Sequence, residues 1–173
     1  MSKANWTKHV KSTGAYGKTH GDTKKEYQDI EGLKSNFQRV PYIQYIEVFH
    51  DGKLVYGYQF YYHGGYQSNK RHYGAHAHAG VRCDRVTLEP DEYLTGAGGR
   101  FGDLCDQLWF KTSHGRDLVF GGSGGSNKTF DTGAAQKPLI LALGAGMGGH
   151  VHHIKCFFLD LAKVKPAEAG MAP

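Results

Sequence analysis

The chain has 173 residues, enough for one domain with its own core, and it carries 25 glycines, 11 tyrosines, 9 phenylalanines and a formal net charge of +5. That mixture is typical of many short strands joined by tight turns. Three cysteines with no CxxC and no paired spacing exclude a zinc ribbon and a disulfide framework, and no stretch approaches the ~18 apolar residues of a membrane-spanning helix.

Taken in chain order, residues 1–11 read as a loose basic tail. Lys3, Lys8, Lys11, Lys18, Lys24 and Lys25 load much of the excess charge near the N-terminus, as in a solvated tail or a polyanion-binding arm. The opening MSKANWTKHV lacks an apolar signal core. The expected location is therefore the cytoplasm, or outside the cell by a non-classical route. Asn5-Trp6-Thr7 and Asn127-Lys128-Thr129 are glycosylation sequons that matter only in a secreted chain. Residues 12–162 form the predicted domain, and residues 163–173 a C-terminal tail. Tyr27, Ile30 and Leu33 fall three apart, which admits a helical turn beside the extended reading. Elsewhere the period is mostly two. Ile43 to Phe49 is apolar and rich in β-branched residues, and aromatics crowd both faces of Tyr58 to Tyr62. Leu108, Phe110 and Thr112 share one face of a strand, as do Ile154, Cys156 and Phe158. His114-Gly115 reads as a hairpin turn.

An internal repeat organises these strands. Gly52-Lys53-Leu54-Val55-Tyr56, Gly102-Asp103-Leu104-Cys105-Asp106 and Gly148-Gly149-His150-Val151-His152 each lead into an aromatic-rich strand. Each is preceded by a strand-like run, and each repeat has its own glycine-rich loop: Gly14 to Gly17, His63-Gly64-Gly65 on to Gly74, and Gly121 to Gly125. A period of about 50 residues means three strand units sharing one core. Three units of about four strands predict a closed, all-β body with no long free edge.

Glycine loops expose backbone N–H groups that no side chain shields. Phosphate would suit them, but Gly121 to Gly125 lacks the Lys-Ser or Lys-Thr pair of a P-loop. Sugar hydroxyls would also suit them, because they both donate and accept and so need an acceptor beside the N–H groups. Asp106, at the end of its turn, would supply that acceptor, or it would merely cap the turn.

The residues Glu92-Tyr93-Leu94-Thr95, then Arg100 through Thr112, Gly115-Arg116 and Phe120 through Ser126 resemble the jacalin-related lectins. The likeness is to griffithsin-like and plant mannose-binding members of that family. Gly14-Ala15-Tyr16-Gly17 with Tyr27-Gln28-Asp29-Ile30 is similar to the family's opening. The likeness spans roughly residues 12 to 162 and is most specific in the second repeat. It implies a β-prism I fold, with three Greek-key four-stranded sheets in pseudo-threefold symmetry, and sugar binding without catalysis. It also implies a mannose- or glucose-type hexose gripped by Gly102, Asp106 and the backbone of Asp103 and Leu104. Gly121, Gly122, Gly124 and Gly125 would face that turn, and Arg100 and Phe101 would form a wall on which Phe101 could stack a sugar. A weaker second site would use Gly17, Gly148, Gly149, His150 and His152, but His152 stands where the family's third repeat carries aspartate, and Tyr56 holds that place in the first. One competent site per chain is expected, with glycans or glycoproteins as partners and homo-oligomerisation to crosslink them.

Other readings compete. Lys18, Lys24, Lys25, Lys70, Arg71 and Arg100 could bind a sulfated or phosphorylated polyanion such as an acidic polysaccharide, with steep salt dependence. The chain could also be an interaction module that has lost sugar binding. His76 with His78, and His150 with His152, sit two apart and could chelate zinc or copper. No acidic or cysteine ligand joins them at fixed spacing, so neither metal nor other cofactor is expected. No Ser-His-Asp order, carboxylate pair or HExxH suggests an enzyme. Cys105 reads as packing.

Overall fold

The period-two stretches become three antiparallel sheets around one core in the computed structural model, which describes residues 4–18, 25–68 and 77–170. The elements in chain order are β1 (Lys11–Ser12), β2 (Tyr16–Gly17), β3 (Lys25–Gln28), α1 (Ile30–Asn36), β4 (Ile43–His50), β5 (Val55–Tyr62) and β6 (Arg82–Thr87). They continue with β7 (Leu94–Phe101), β8 (Cys105–Thr112), β9 (Asp117–Gly121), β10 (Ser126–Thr129), β11 (Pro138–Met147), β12 (Val151–Asp160) and α2 (Pro166–Ala169).

The second sheet has the order β10-β7-β8-β9, a meander whose fourth strand returns beside the first, which is a Greek key. The other two sheets repeat that frame with small departures from four strands each. In one, the order is β5-β4-β6, and residues 66–68 add a short fourth rung outside β5: Tyr61 bridges Gln67, and the Ser68 N–H donates to the Phe60 carbonyl at 3.0 Å. In the other, β1 and β2 both pair with β12, at Ser12–Phe157 and Tyr16–Ile154. They are two halves of one edge strand, with the Thr13 N–H donating to the Cys156 carbonyl between them. That sheet joins the first strands of the chain to the last, so the N-terminus completes the third repeat.

The long hairpins β4–β5, β7–β8 and β11–β12 share irregularities as well as order. Each has a register shift just before its turn (Phe49/His50, Arg100/Phe101, Gly146/Met147). A second shift comes at the far end (Ile43/Tyr45, Leu94/Gly96, Ile140/Ala142). Bulges bend a strand and re-aim its side chains, so conserving them in all three units reproduces the same turn three times.

The inward faces meet in one apolar cluster. Ile46, Phe60, Leu108, Phe110, Leu141 and Ile154 are fully buried and come from all three sheets. The Phe60 and Phe110 rings meet at 5.8 Å, and the Tyr62 hydroxyl donates to the Leu141 carbonyl at 2.6 Å. Three sequence expectations change. A helix does form near Tyr27, but it begins at Ile30 and buries Ile30 and Leu33, while Tyr27 pairs in β3 with Ala145. The two ends are not loose where described. Residues Asn5–His9 form a 3-10 helix with Trp6 fully buried, and Val164 is buried beyond β12.

Candidate functional site

The turn that closes each hairpin is spanned by the pairs Phe101–Cys105, His50–Val55 and Met147–Val151. The next residue in each is Asp106, Tyr56 and His152. The three positions are equivalent by register, and each meets a different fate.

Asp106 is half-buried, and its carboxylate accepts no hydrogen bond from the described residues. Burial pushes its pKa above the ordinary carboxylate value, and the Arg100 guanidinium opposes that shift. Asp51, one turn over, shows what a capping aspartate does. Its Oδ1 accepts from the N–H groups of Lys53 at 2.9 Å and Leu54 at 2.8 Å. Asp106 therefore is not the cap of its turn; the cap role belongs to Asp51, in the first repeat.

The facing loop is fastened to the same strand ends. The Gly122 N–H donates to the Asp106 carbonyl at 2.8 Å, and Gln107 Nε2 donates to the Gly122 carbonyl at 2.9 Å. Arg100 donates through Nε to the Gly124 carbonyl and through Nη2 to the Gly125 carbonyl, both at 2.9 Å. Gly121 has φ +104, and a Cβ there would lie 2.4 Å from the Asp106 carbonyl oxygen, so the chain needs glycine to make this approach. A Cβ on Gly124 would lie 2.8 Å from Asp106 Oδ2, which puts bare backbone beside the carboxylate. Gly122 rests on the backbone of Gly52 and Lys53, so the first repeat's turn props the loop from behind. In the turn itself, the Gly102 N–H donates to the Leu104 carbonyl at 3.2 Å, Leu104 is half-buried, and exposed Asp103 pairs with Lys18 at 3.0 Å.

The structure thus brings Gly102, Asp103, Leu104, Asp106, Gly121, Gly122, Gly124, Gly125 and Arg100 together. Phe101 is the exception. It is 6% exposed and packs inward against Tyr16 and Phe130, with ring centres 6.2 and 6.1 Å away, so it is core and not a stacking wall.

The third repeat copies the backbone and loses the acceptor. Gly17 has φ +95, and a Cβ there would fall 2.1 Å from the His152 carbonyl oxygen, the relation Gly121 has to Asp106. The Gly148 N–H donates to the His150 carbonyl across the turn, and Gly149 is buried. At the acceptor position, however, stands an imidazole that is 1% exposed. In the first repeat Tyr56 is buried too, and its ring contacts His78 at 5.6 Å and His150 at 5.8 Å, with His152 6.4 Å beyond His150. The two histidine groups therefore do meet, through Tyr56, and His78 Nε2 lies 3.0 Å from Asp51 Oδ2. Among the described residues no three His, Cys, Asp or Glu side chains could hold a metal; His76 lies outside them.

Of the basic residues considered for polyanions, Lys18 is paired with Asp103 and Arg100 holds the glycine loop. Lys24, Lys70 and Arg71, and the side chain of Lys25, lie outside the described residues. Cys105 is fully buried, and burial pushes its thiol pKa up, which suits packing and not reactivity. Sequence reasoning missed Gln107 and Trp109, which stand on the outer face of β8 next to the site. The available signal was Gly96-Ala97-Gly98-Gly99 in β7, a strand that gives up side chains to make room for its neighbours'.

A family model for the jacalin-like lectin domain matches residues 13–155. No match was found among curated protein sequences. Among solved structures, the fold is similar to a mannose-specific jacalin-related lectin from Morus nigra in complex with mannose, at 19% identity over 87% of this chain and 95% of that one, TM-score 0.65. It is also similar to frutapin, a lectin from Artocarpus incisa, at 17% identity over 87% and 97%, TM-score 0.65. A lamprey immune protein matches at 16% identity and TM-score 0.62, with 88% of this chain spanning only 45% of that one. At these identities the structures share a fold; the family assignment comes from the match over residues 13–155. No helix of the described residues is long and apolar enough to cross a membrane.

Proposed function

This chain belongs to the jacalin-like lectin family, and from that premise we propose that it holds a mannose- or glucose-type hexose between Asp106 and the glycine loop of residues 121–125. The family is one of carbohydrate-binding proteins without catalysis. Two neighbouring sugar hydroxyls donate to the Asp106 carboxylate, and backbone N–H groups of the turn at Asp103 and Leu104 donate back to the sugar oxygens. Arg100 keeps the loop at its distance.

The observation that carries this reading is the Asp106 carboxylate, half-buried and without a hydrogen-bond partner among the described residues. A half-buried carboxylate that the protein's own donors leave unused can take a ligand's hydroxyl groups in place of water. The mannose-specific Morus nigra lectin supports the hexose type. Buried His152 and Tyr56 support a single competent site per chain, so crosslinking needs more than one chain. A shallow one-sugar site implies a Kd of about 1 mM, or about −4 kcal/mol.

The test is a glycan array in moderate salt on wild type and Asp106→Ala. Binding of mannose- or glucose-terminated glycans by wild type alone is the expected result. Signal confined to sulfated glycans would replace this reading with polyanion binding. No binding to any glycan would leave an interaction module.

A further inference from the structure

The outer face of the second sheet carries a groove of ≈ 330 Å³ beside the Asp106 turn. Its floor is the indole of Trp109. Trp109 pairs in register with Gly98 on one side and Val119 on the other. A Cβ on Gly98 would sit 2.1 Å from Trp109 Cζ2, so the ring lies across the place a side chain would take. Trp109 Nε1 donates to Asn127 Oδ1 at 2.9 Å, which fixes the ring and uses its one polar group. One indole face is thus pressed on the sheet and the other looks into the groove. Val119, 57% exposed, extends the apolar floor.

The rim is polar. Arg100, Gln107 and Asn127 stand in one cross-strand row next to Trp109. Gln107 spends Nε2 on the Gly122 carbonyl, and its Oε1 has no partner among the described residues; the same is true of Asn127 Nδ2. A flat aromatic floor with amide groups along one edge matches a pyranose, which has an apolar C–H face and a hydroxylated edge. It suits a second protein poorly, because the apolar area is one ring and one valine. Continuity names the occupant. Arg100 and Gln107 line this groove and also fasten the loop that faces Asp106. Trp109 follows Asp106 by three residues, about 10 Å at the strand rise of ~3.3 Å per residue. That span is one an oligosaccharide covers and a monosaccharide does not.

We propose that Trp109 floors a second subsite, which takes an inner sugar of a glycan whose terminal hexose sits at Asp106. The proposal rests on the hexose reading of Asp106 and makes the protein a reader of oligosaccharides. The test is calorimetry with methyl α-mannoside and with a linear α-linked mannotriose on wild type, Trp109→Ala and Trp109→Phe. Trp109→Ala is expected to bind methyl α-mannoside as wild type does and mannotriose roughly 3- to 10-fold more weakly, with Trp109→Phe between. Tryptophan emission gives a second readout. Trp6 is fully buried, so a change on adding mannotriose but not methyl α-mannoside reports Trp109. Wild-type mannotriose affinity in Trp109→Ala would overturn the subsite and leave the Asp106 reading standing. Loss of methyl α-mannoside binding in Trp109→Ala would also overturn it, by making Trp109 a support of the loop. If wild type binds neither sugar, the Asp106 reading fails and the subsite with it.

Discussion

Asp51 and Asp106 are both turn aspartates, and their hydrogen bonds separate them. Asp51 spends its carboxylate on two backbone N–H groups of its own turn. Asp106 spends its carboxylate on none among the described residues. Asp106→Asn should therefore cut neutral-glycan affinity more than ~10-fold while stability moves by no more than about 0.5 kcal/mol. A large fall in thermal stability would make Asp106 a structural residue instead. The raised pKa also has a readable sign. Burial makes the free carboxyl protonate at a higher pH than an ordinary one, and the sugar hydroxyls need the ionised form. Affinity should be full at neutral pH and begin to fall on acidification before an ordinary carboxylate would titrate, as calorimetry over a pH series would show. Gly124→Ala is the finer probe. Its Cβ would press on Asp106 Oδ2, a side-chain tip that can move, so affinity should drop several-fold with the melting temperature unchanged.

Among the elements, the segment between β6 and β7 depends on one buried carboxylate. Glu92 is 0% exposed and accepts from Arg116 Nη2 at 2.7 Å, Arg116 Nε at 2.9 Å, the Thr112 hydroxyl at 2.6 Å and the Glu89 N–H at 2.9 Å. The Arg116 hydrogen bonds, ahead of those from Thr112 and Glu89, hold its pKa down to about 2. A depressed carboxyl pKa stabilises the fold fully above the unfolded value, ~4.3, and the contribution disappears as pH falls from there through about 2. Glu92→Ala should cost roughly 3 kcal/mol at neutral pH by breaking this network. Its denaturation midpoint should converge on that of wild type at low pH. Equal midpoints at neutral pH would contradict the assignment.

For the whole molecule, the two ends of the chain clasp the same surface. Trp6 is fully buried, its Nε1 donates to the Phe37 carbonyl at 3.1 Å, and its backbone N–H donates to Glu168 Oε1 at 3.1 Å. The Val40 N–H donates to the Glu168 carbonyl, Arg39 donates to the Gly170 carbonyl, and the Tyr42 hydroxyl donates to the Ala169 carbonyl. The clasp ties both ends to each other and to the segment between α1 and β4, so it fastens them to the body of the domain. Trp6→Ala should cost about 3–5 kcal/mol, read by chemical denaturation. A change within 1 kcal/mol would mean that the ends add nothing to the body.

The residue pattern alone was enough to establish the three-unit, all-β architecture. Turn glycines recur at Gly52, Gly102 and Gly148, and alternation such as Leu108-Phe110-Thr112 has only one way to bury its apolar face. It also singled out Asp106, because only that turn ends in a carboxylate. The fate of individual side chains depended on neighbours far away in sequence. Phe101 turned inward because Tyr16 and Phe130 close around it. Trp6, in a lysine-rich stretch, is buried because residues near 37 and 168 cover it. Trp109 became a platform because the register places Gly98 beneath it. Periodicity reports which face a residue shares with its strand neighbours. It carries no information on what packs across that face, and only the assembled sheets supply it.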